Sequence, residues 1–360
     1  MTGPLRYGVI GTGMMGVEHI TNLLHLDGAV VTAVSDPVAE SRDWAQLAVG
    51  LHTPLATFEH HAELLKSGLC DAVVIASPNH THHQVLLDVL ATNHHVMVEK
   101  PLCTTVAHCR EVIAAAEAAP WPDRVVWMGL EYRYMPPTTE VLREVRAGTV
   151  GDVRMVAIRE HRFPFLVKVG NWNRFTRNTG GTLVEKCCHF FDLMNLAIGA
   201  KPSRVYASGG QDVNHLDEVY NGERSDILDN AYVIVDYENG VRAMLDLSMF
   251  AEGSRNEQEI TAVGDTGKLE AAVPGDGNLY VGQRSTRQVT PLPISEEEVQ
   301  HVGFHHGASF IETRRFCEAI RGIGPVEVDT NAGLWSVVIG AAAHKSIDEG
   351  RAVLISEYNL

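Results

Sequence analysis

The first third of the chain alternates between short apolar runs and longer amphipathic stretches. Short apolar runs bounded by turn residues are typical of buried parallel strands. The amphipathic stretches repeat their apolar positions every three to four residues, which predicts helices between the strands. Strand–helix alternation predicts an α/β fold with a doubly wound parallel sheet. The predicted strands are 6–10, 30–36, 71–76, 95–98 and 125–129, with helices at 81–92 and 104–119.

Beyond residue 150 the pattern changes to near two-residue alternation, which is typical of strands that bury one face. Asn239 and Gly240 predict a hairpin turn, a second turn is predicted over 264–267, and the polar stretch 212–229 is predicted as a loop. We therefore predict a C-terminal α+β domain with one large, mostly antiparallel open sheet. Its predicted strands are 153–161, 204–208, 231–237, 241–249, 258–263 and 279–283.

A glycine motif, G-x-G-x-x-G, lies between the first predicted strand and the helix that follows it. In this context Gly11 makes a tight turn, Gly13 lets the backbone approach a pyrophosphate, and Gly16 allows close helix–strand packing. The motif predicts a dinucleotide-binding Rossmann domain over residues 1–130, followed by a second domain over 131–360. The predicted cofactor contacts in this loop are Gly11, Thr12, Gly13, Met14, Met15 and Gly16.

Asp36 ends the second predicted strand, twenty residues past Gly16. A carboxylate at this position binds the ribose diol of a dinucleotide and repels a 2′-phosphate. Pro37 and Val38 supply no compensating positive charge, and Arg42 is the nearest base. The sequence therefore favours NAD over NADP as the cofactor.

Polar side chains also follow the third and fourth predicted strands. Because ligands of doubly wound sheets bind at the carboxyl ends of the strands, these residues are predicted to line the cofactor site. They are Ser77, Pro78, Asn79, His82, Glu99 and Lys100.

Composition and charge narrow the possible partners. The net charge of −16 argues against nucleic acid or an anionic membrane as the partner, and no apolar run has the length of a membrane span. The N-terminus leads straight into a strand, so no signal peptide is expected. The six cysteines are scattered and are expected to be reduced thiols of a cytoplasmic protein.

A histidine cluster at His80, His82 and His83 invites a zinc interpretation. It has no cysteine or acid at ligand spacing, so we expect no metal here and favour helix capping instead.

The stretch 180–194 places ionisable groups within an apolar run of helical period. On one helix, Glu185 and His189 would share a face, with Asp192 near it. Two interpretations fit: a core histidine satisfied by two acids, or a functional site. Burial of such groups costs several kcal/mol or so unless they are paired.

Several motifs together resemble the glucose-fructose oxidoreductase / inositol dehydrogenase / rhizopine-catabolism (Gfo/Idh/MocA) family. They are the glycine motif, S-P-N-x-x-H at 77–82, E-K-P at 99–101, the glycine pair 180–181 with Glu185 and His189, F-H-H-G at 304–307 and a closing helix over 333–349. One departure stands out. The family usually has Asp where this chain has Glu185, and Lys186 follows immediately.

The resemblance implies an NAD-dependent dehydrogenase that oxidises a secondary hydroxyl of a sugar, cyclitol or related polyol. His189 would act as general base, Lys100 would stabilise the developing alkoxide, and Glu185 would hold a neighbouring hydroxyl. Asp192 would orient His189 or serve the structure alone. For Trp172 and Asn173, packing in a surface loop is the alternative to substrate contact. The implied substrate contacts are Lys100, Tyr132, Arg133, Trp172, Asn173, Glu185, His189 and His306.

A large open sheet left bare would expose an apolar face, so we expect a homo-oligomer. The resemblance implies a tetramer or a dimer. Two alternatives stay open for the function. One is an enzyme that uses tightly bound NAD transiently, with no net oxidation. The other is a non-catalytic sensor that binds NAD and a sugar. The sequence does not name the substrate.

Overall fold

The computed structural model describes residues 3–295 and 299–360. The chain forms two compact units, and each is made of several segments. The first is bounded by Met1–Tyr134, Lys168–Trp172 and Glu298–Leu334, and the second by Met135–Val167, Asn173–Glu297 and Trp335–Leu360. The domain ranges 1–130 and 131–360 stay a prediction.

The first unit contains a six-stranded parallel sheet in the order β3-β2-β1-β4-β5-β6. The predicted doubly wound sheet is confirmed. The sequence missed the edge strand β3, whose three residues are only partly buried and form no apolar run. The strands are β1 Leu5–Ile10, β2 Ala29–Ser35, β3 Ala56–Phe58, β4 Ala72–Ile75, β5 His95–Glu99 and β6 Val126–Gly129.

Helices connect these strands and bury their apolar faces against the sheet. Ile20 and Leu23 of the first helix are fully buried, and burial of each such side chain stabilises the fold by about 1.5–3 kcal/mol. The helices of this unit are α1 Met14–Leu24, α2 Ala39–Val49, α3 His61–Lys66, α4 His82–Leu90 and α5 Val106–Ala118, with α10 Ala308–Ile320 from the later segment; short 3₁₀ turns span Asn79–Thr81 and Glu131–Tyr134.

The second unit contains a nine-stranded sheet in the order β16-β15-β14-β13-β7-β12-β11-β8-β17. Every pair is antiparallel except β7 with β12, so the prediction of a mostly antiparallel sheet is confirmed. The strands are β7 Val153–His161, β8 Pro202–Gly210, β11 Asn230–Tyr237, β12 Arg242–Ser248, β13 Gln258–Gly264, β14 Gly267–Val273, β15 Asn278–Gln283, β16 Gln288–Pro293 and β17 Val353–Leu354.

The sequence missed β14, β16 and β17. In β16 most side chains are exposed and two are prolines, which confines it to a sheet edge. The predicted loop 212–229 contains a small hairpin of β9 Val219–Tyr220 and β10 Glu223–Arg224. The predicted turns at Gly240 and over 264–267 are confirmed, because each joins two antiparallel strands.

The helices of the second unit are α6 Pro136–Arg146, α7 Thr176–Thr179, α8 Thr182–Glu185 and α9 Cys188–Ile198, and the long helix α11 Thr330–Glu349 enters it after Leu334. No helix of the described residues is long and apolar enough to cross a membrane.

The large sheet has one buried face and one exposed face. Val233 and Val235 of β11 are fully buried, whereas Tyr232 and Ile234 between them are exposed. The strand register sets Ile234 beside Tyr206 of β8 and Met244 of β12, which are also exposed. The exposed face within this unit therefore carries a continuous row of large apolar side chains.

Candidate functional site

The glycine loop between β1 and α1 has two kinds of glycine. At Gly11, which has φ +87°, a Cβ atom would lie 2.5 Å from the backbone nitrogen of Ser77, and at Gly16 it would lie 2.0 Å from the carbonyl oxygen of Gly11. At Gly13 a Cβ atom would meet no atom within 4 Å. Protein packing therefore requires Gly11 and Gly16. The space beside Gly13 fits the pyrophosphate that a dinucleotide would place there.

Asp36 follows β2 directly and turns back toward this loop. Its Oδ2 accepts the backbone N–H of Thr12 at 2.8 Å, and its Oδ1 accepts that of Val38 at 2.8 Å. Arg42 donates to the carbonyl oxygen of Asp36 at 2.5 Å. The carboxylate is thus fixed beside the glycine loop, where it fits the ribose diol of NAD and disfavours a 2′-phosphate.

The segment after β4 is joined to the segment after β5 through His82. Its Nδ1 lies 2.8 Å from the carbonyl oxygen of Pro101, and its Nε2 lies 3.0 Å from that of Ser77. Burial lowers the pKa of His82. Asn79 is also buried, and Ser77 bonds to Thr81 through their hydroxyls at 2.7 Å. His82 therefore holds together two loops that were predicted to line the cofactor site.

Glu99 ends β5 and is buried directly before Lys100, which is half-buried. Its Oε1 lies 2.7 Å from Nε2 of His19, and its Oε2 accepts the backbone N–H of Lys100 at 3.2 Å. Burial opposes ionisation of Glu99, but the hydrogen bond from His19 and nearby positive charge prevail and lower its pKa to about 2. Sequence reasoning missed His19. The sequence pattern that could have revealed His19 is a polar residue on the otherwise apolar, buried face of α1, three positions after Gly16.

Two more buried carboxyl groups lie in this unit, Glu131 and Glu312. Trp127 Nε1 donates to Glu312 at 3.3 Å, and Nε2 of His305 lies 3.6 Å from Glu131. Burial and the negative charges of Glu131 and Glu99 raise the pKa of Glu312 well above its ordinary value. Ionisation of Glu312 is therefore disfavoured by its surroundings.

The predicted substrate residues of the first unit have different surroundings. Tyr132 is buried with its ring 5.9 Å from that of His305. Arg133 donates to the carbonyl oxygen of Glu327 at 2.7 Å. Trp172 lies with its ring 6.3 Å from that of His80.

His306 is exposed and has a left-handed backbone, with φ +53°. In the second unit Asn173 is fully buried and donates to the carbonyl oxygen of Leu166 at 3.0 Å, which fits the packing alternative given for it.

The prediction of one continuous helix through Glu185 and His189 is wrong. Helix α8 ends at Glu185 and α9 begins at Cys188. The thiol of Cys188 donates to the carbonyl oxygen of Glu185 at 3.5 Å, the oxygen that His189 N–H would bond in an unbroken helix. Glu185, His189 and Asp192 are nevertheless all buried in the second unit.

The glycine pair before α8 is shaped by a distant histidine. Gly180 and Gly181 have φ +80° and +86°, and a Cβ atom on Gly181 would lie 2.3 Å from Nε2 of His344. The same nitrogen accepts the backbone N–H of Leu183 at 3.1 Å. Burial lowers the pKa of His344 to about 4. No local pattern predicted this partner, which lies 161 residues beyond Leu183 in the chain.

Lys186, which the sequence left without a role, forms a buried ion pair. Its Nζ lies 2.8 Å from Oε1 of Glu160 on β7, and both side chains are at most 5% exposed. The Nζ also lies 5.5 Å from the ring centroid of Phe190, and burial lowers the pKa of Lys186. This ion pair attaches the turn between α8 and α9 to strand β7 of the large sheet.

No group of three or more histidine, cysteine or acidic side chains among residues 3–295 and 299–360 is arranged to hold a metal ion. Of the predicted histidine cluster, His82 faces two carbonyl oxygens, and Nε2 of His83 lies 2.8 Å from Glu111.

Within the first unit, the carboxyl ends of four neighbouring strands carry the glycine loop, Asp36, the segment 77–82 and Lys100. This arrangement defines a dinucleotide-binding protein of the doubly wound class. Residues 5–125 match the NAD-binding Rossmann fold of the Gfo/Idh/MocA oxidoreductase family, and residues 143–355 match its C-terminal alpha/beta domain. The chain belongs to this family. It is an oxidoreductase of CH–OH groups whose cofactor is NAD.

Individual relatives agree with this assignment. The chain is 26% identical to the myo-inositol 2-dehydrogenase of Thermotoga maritima over 98% of this chain and 99% of that protein. The structure of an oxidoreductase domain protein from Kribbella flavida has a TM-score of 0.84 at 20% identity, covering 99% of this chain and 100% of that one. Scyllo-inositol dehydrogenase from Lactobacillus casei, solved with NAD(H) and scyllo-inositol, has a TM-score of 0.77 at 20% identity and covers 98% of this chain and 99% of that chain.

Proposed function

We propose that the protein is an NAD-dependent dehydrogenase that oxidises a secondary hydroxyl of a sugar, a cyclitol such as an inositol, or a related polyol. The observation that carries the proposal is Lys100 at the end of β5, on the same sheet edge as the glycine loop and Asp36. A cation at that edge is suited to an oxygen that gains negative charge next to a nicotinamide. The named relatives that act on inositols support the substrate class.

In this mechanism bound NAD supplies the acceptor for the hydride of the carbinol carbon. Lys100 donates a hydrogen bond to the reacting oxygen and stabilises its developing charge. His189 accepts the hydroxyl proton as general base, a role that typically contributes about 10²–10⁴-fold to the rate. Glu185 accepts a hydrogen bond from a neighbouring hydroxyl and so fixes the orientation of the ring.

We propose a wider set of substrate contacts. Tyr132, Arg133, Trp172 and His306 are the proposed set, whereas the fully buried Asn173 is assigned to packing. Glu185 is one methylene longer than the aspartate usual in the family, so the hydroxyl it holds differs from that of the aspartate enzymes. Asp192 lies one helical turn beyond His189 on α9 and is proposed to orient it.

We also propose that the protein is a homo-oligomer, a tetramer or a dimer, assembled through the exposed face of the large sheet. A row of large apolar side chains on an open sheet is typical of surfaces that are covered in an assembly. The row consists of Tyr206, Tyr232, Ile234 and Met244.

The six cysteines are free buried thiols, which supports our proposal that the protein works in the reducing cytoplasm.

The test is a panel of inositols, sugars and linear polyols with NAD, followed by the absorbance of the reduced nicotinamide. Turnover of at least one cyclitol or sugar, with NAD preferred to NADP, is the expected result. Tightly bound cofactor after purification, together with conversion of a sugar without net NADH, would favour transient redox chemistry. Binding of NADH and sugars without turnover of any compound would favour a sensor.

A further inference from the structure

We propose that His19 and Glu99 form a positioning pair that couples the dinucleotide-binding helix α1 to Lys100 and holds Lys100 in its ammonium form. The inference rests on the proposed role of Lys100 and extends it to two buried residues. His19 lies on α1, three residues after the last glycine of the dinucleotide loop.

The geometry links the helix to the lysine in two steps. His19 Nε2 lies 2.7 Å from Oε1 of Glu99, and Oε2 of Glu99 accepts the backbone N–H of Lys100 at 3.2 Å. Because an ionised carboxylate can only accept, His19 must carry the proton on Nε2. Both side chains are almost fully buried, with exposed fractions of 1% and 7%. This buried hydrogen bond ties α1 to the end of β5.

The charges around Glu99 come from several elements. His19 lies on α1, His82 on α4, Lys100 after β5, His305 before α10, Glu312 on α10 and Glu131 after β6. Of the carboxyl groups, Glu99 is held ionised by its hydrogen bond from His19, because its pKa falls to about 2, whereas Glu312 has a raised pKa. Glu99 is therefore the carboxylate next to Lys100 that stays charged through neutral pH.

Electrostatic coupling is reciprocal. The charge of Lys100 lowers the pKa of Glu99, so the charge of Glu99 favours the ammonium form of Lys100 to the same extent. The ammonium form of Lys100 is the stronger hydrogen-bond donor to a carbonyl or alkoxide oxygen and carries the positive charge that stabilises an alkoxide. Helix α1 therefore holds Glu99 in place through His19. Glu99 in turn favours the positive charge on Lys100 that the proposed reaction needs.

The direct test measures Lys100 itself and needs no turnover. Trace acetic anhydride reacts only with the neutral amine, so the acetylation rate of the Lys100 peptide against pH, read by mass spectrometry, gives the pKa of this side chain. In Glu99→Gln, which keeps the shape and loses the charge, that pKa should fall by about one unit. The matched control is Glu111→Gln, which breaks the exposed His83–Glu111 pair of the same unit and should leave Lys100 unchanged.

Variants at His19 separate the hydrogen bond from mere packing. His19→Gln keeps an N–H donor near the position of Nε2 and should preserve the pKa of Lys100. His19→Leu fills the space without a donor and should lower it. NADH affinity and the thermal unfolding temperature are measured for every variant, so a misfolded protein is recognised as such. A pKa of Lys100 that is the same in Glu99→Gln as in Glu111→Gln overturns the proposal, and so does a His19→Leu value equal to that of the wild type.

The pH profile of carbonyl reduction by NADH then connects the pair to function. The alkaline limb, where the ammonium is lost, should move to lower pH in Glu99→Gln by about one unit, as the labelled amine does. If labelling shows the shift but no carbonyl compound is reduced, the positioning pair stands and the proposed dehydrogenase function fails. If reduction occurs with an unmoved alkaline limb and unmoved labelling, the function stands and the pair fails.

Discussion

Nε2 of His344 accepts the backbone N–H of Leu183 at 3.1 Å. Leu183 lies in the first turn of α8, where backbone N–H groups lack partners within the helix. The buried imidazole thus caps the helix that carries Glu185, and it sits where Gly181 leaves room for it. Accepting this bond requires the unprotonated nitrogen, in agreement with the lowered pKa of about 4.

This contact predicts a loss of stability in mild acid. The unfolded chain takes up a proton on His344 near its ordinary pKa of 6.5, whereas the folded protein resists protonation down to about pH 4. The contribution of His344 to folding is therefore complete above pH 6.5 and declines as the pH falls toward 4. Its full size is roughly 3 kcal/mol. Urea unfolding between pH 4 and 7 measures it.

The variant His344→Gln keeps an acceptor for Leu183 but does not titrate. Its stability should depend less on pH than that of the wild type between pH 4 and 6.5, by up to about 1.4 kcal/mol per pH unit. His52→Gln removes an exposed histidine and serves as the control. Parallel pH curves for the wild type and His344→Gln would contradict the assigned role.

The raised pKa of Glu312 predicts a loss of stability as the pH rises, the opposite of the effect of His344. Its folded pKa is raised, so the folded protein keeps a proton that the unfolded chain releases near pH 4.5. Stability from this group therefore declines as the pH rises above 4.5. Glu312→Gln keeps an acceptor for Trp127 and removes the proton uptake. It should be more stable than the wild type at pH 8, with an advantage that grows by up to about 1.4 kcal/mol per pH unit.

Calorimetric melting at pH 5 and pH 8 checks this expectation. Glu117→Gln removes the same formal charge at an exposed position of α5 and should show no such growth. A difference in stability between Glu312→Gln and the wild type that is the same at pH 5 as at pH 8 would show that Glu312 is already ionised in the native protein over this range.

Asp36 predicts cofactor choice. Its carboxylate is fixed by the backbone N–H groups of Thr12 and Val38, so its charge cannot swing away from a 2′-phosphate. Asp36→Ala should lower kcat/KM with NAD and raise it with NADP, narrowing the NAD/NADP ratio by about one to two powers of ten. Asp27→Ala, at a residue between α1 and β2, is the control. A wild type that works better with NADP would overturn the prediction.

The sheets were predictable from the sequence because their interiors consist of continuous or alternating apolar residues, as in β4 and β11. β3 and β16 were missed because they are edge strands whose side chains are mostly solvent-facing. The placement of Asp36 and Lys100 could be predicted because ligand-facing residues of this fold lie at the carboxyl ends of the strands, on one edge of the sheet. The residues that surround their side chains could not be predicted in the same way.

Partners from distant segments were beyond sequence reasoning. His19 bonds Glu99 across 80 positions, and His344 bonds Leu183 across 161. Neither separation follows a local period, so only the packed structure brings the pairs together. The break after Glu185 was missed for a local reason. A cysteine thiol competes for a helix carbonyl there, although the apolar pattern continues unbroken through it.

The exposed face of the large sheet predicts assembly. Ile234 lies between Tyr206 and Met244 in the strand register, and all three are exposed in the isolated chain. Ile234→Lys would bury a charge if this face meets another copy, at a cost of several kcal/mol or so. Light scattering should then show a smaller species than for the wild type. Val289→Lys, on the edge strand β16, is the control, and an unchanged mass for Ile234→Lys would exclude this face as the interface.

The proposed roles of Lys100 and His189 predict how far turnover falls when either side chain is replaced. Lys100→Met keeps the length of the side chain and loses its charge, so folding and NADH binding should survive. Turnover should fall by about two to four powers of ten, because the reacting oxygen loses the cation that stabilises it. His189→Ala should have an effect of similar size. Lys66→Met, at an exposed position of α3, should change neither quantity.

The double variant distinguishes a joint role from two independent ones. If both side chains act on the same oxygen and its proton, the second substitution should cost much less than it does alone, because the first has already removed the shared function. The measurements are kcat on the best substrate of the panel and NADH affinity by fluorescence. If the fold-loss of kcat in the double variant equals the product of the losses in the two single variants, the two residues act in separate steps. Normal NADH binding with unchanged turnover in both single variants would remove them from the mechanism.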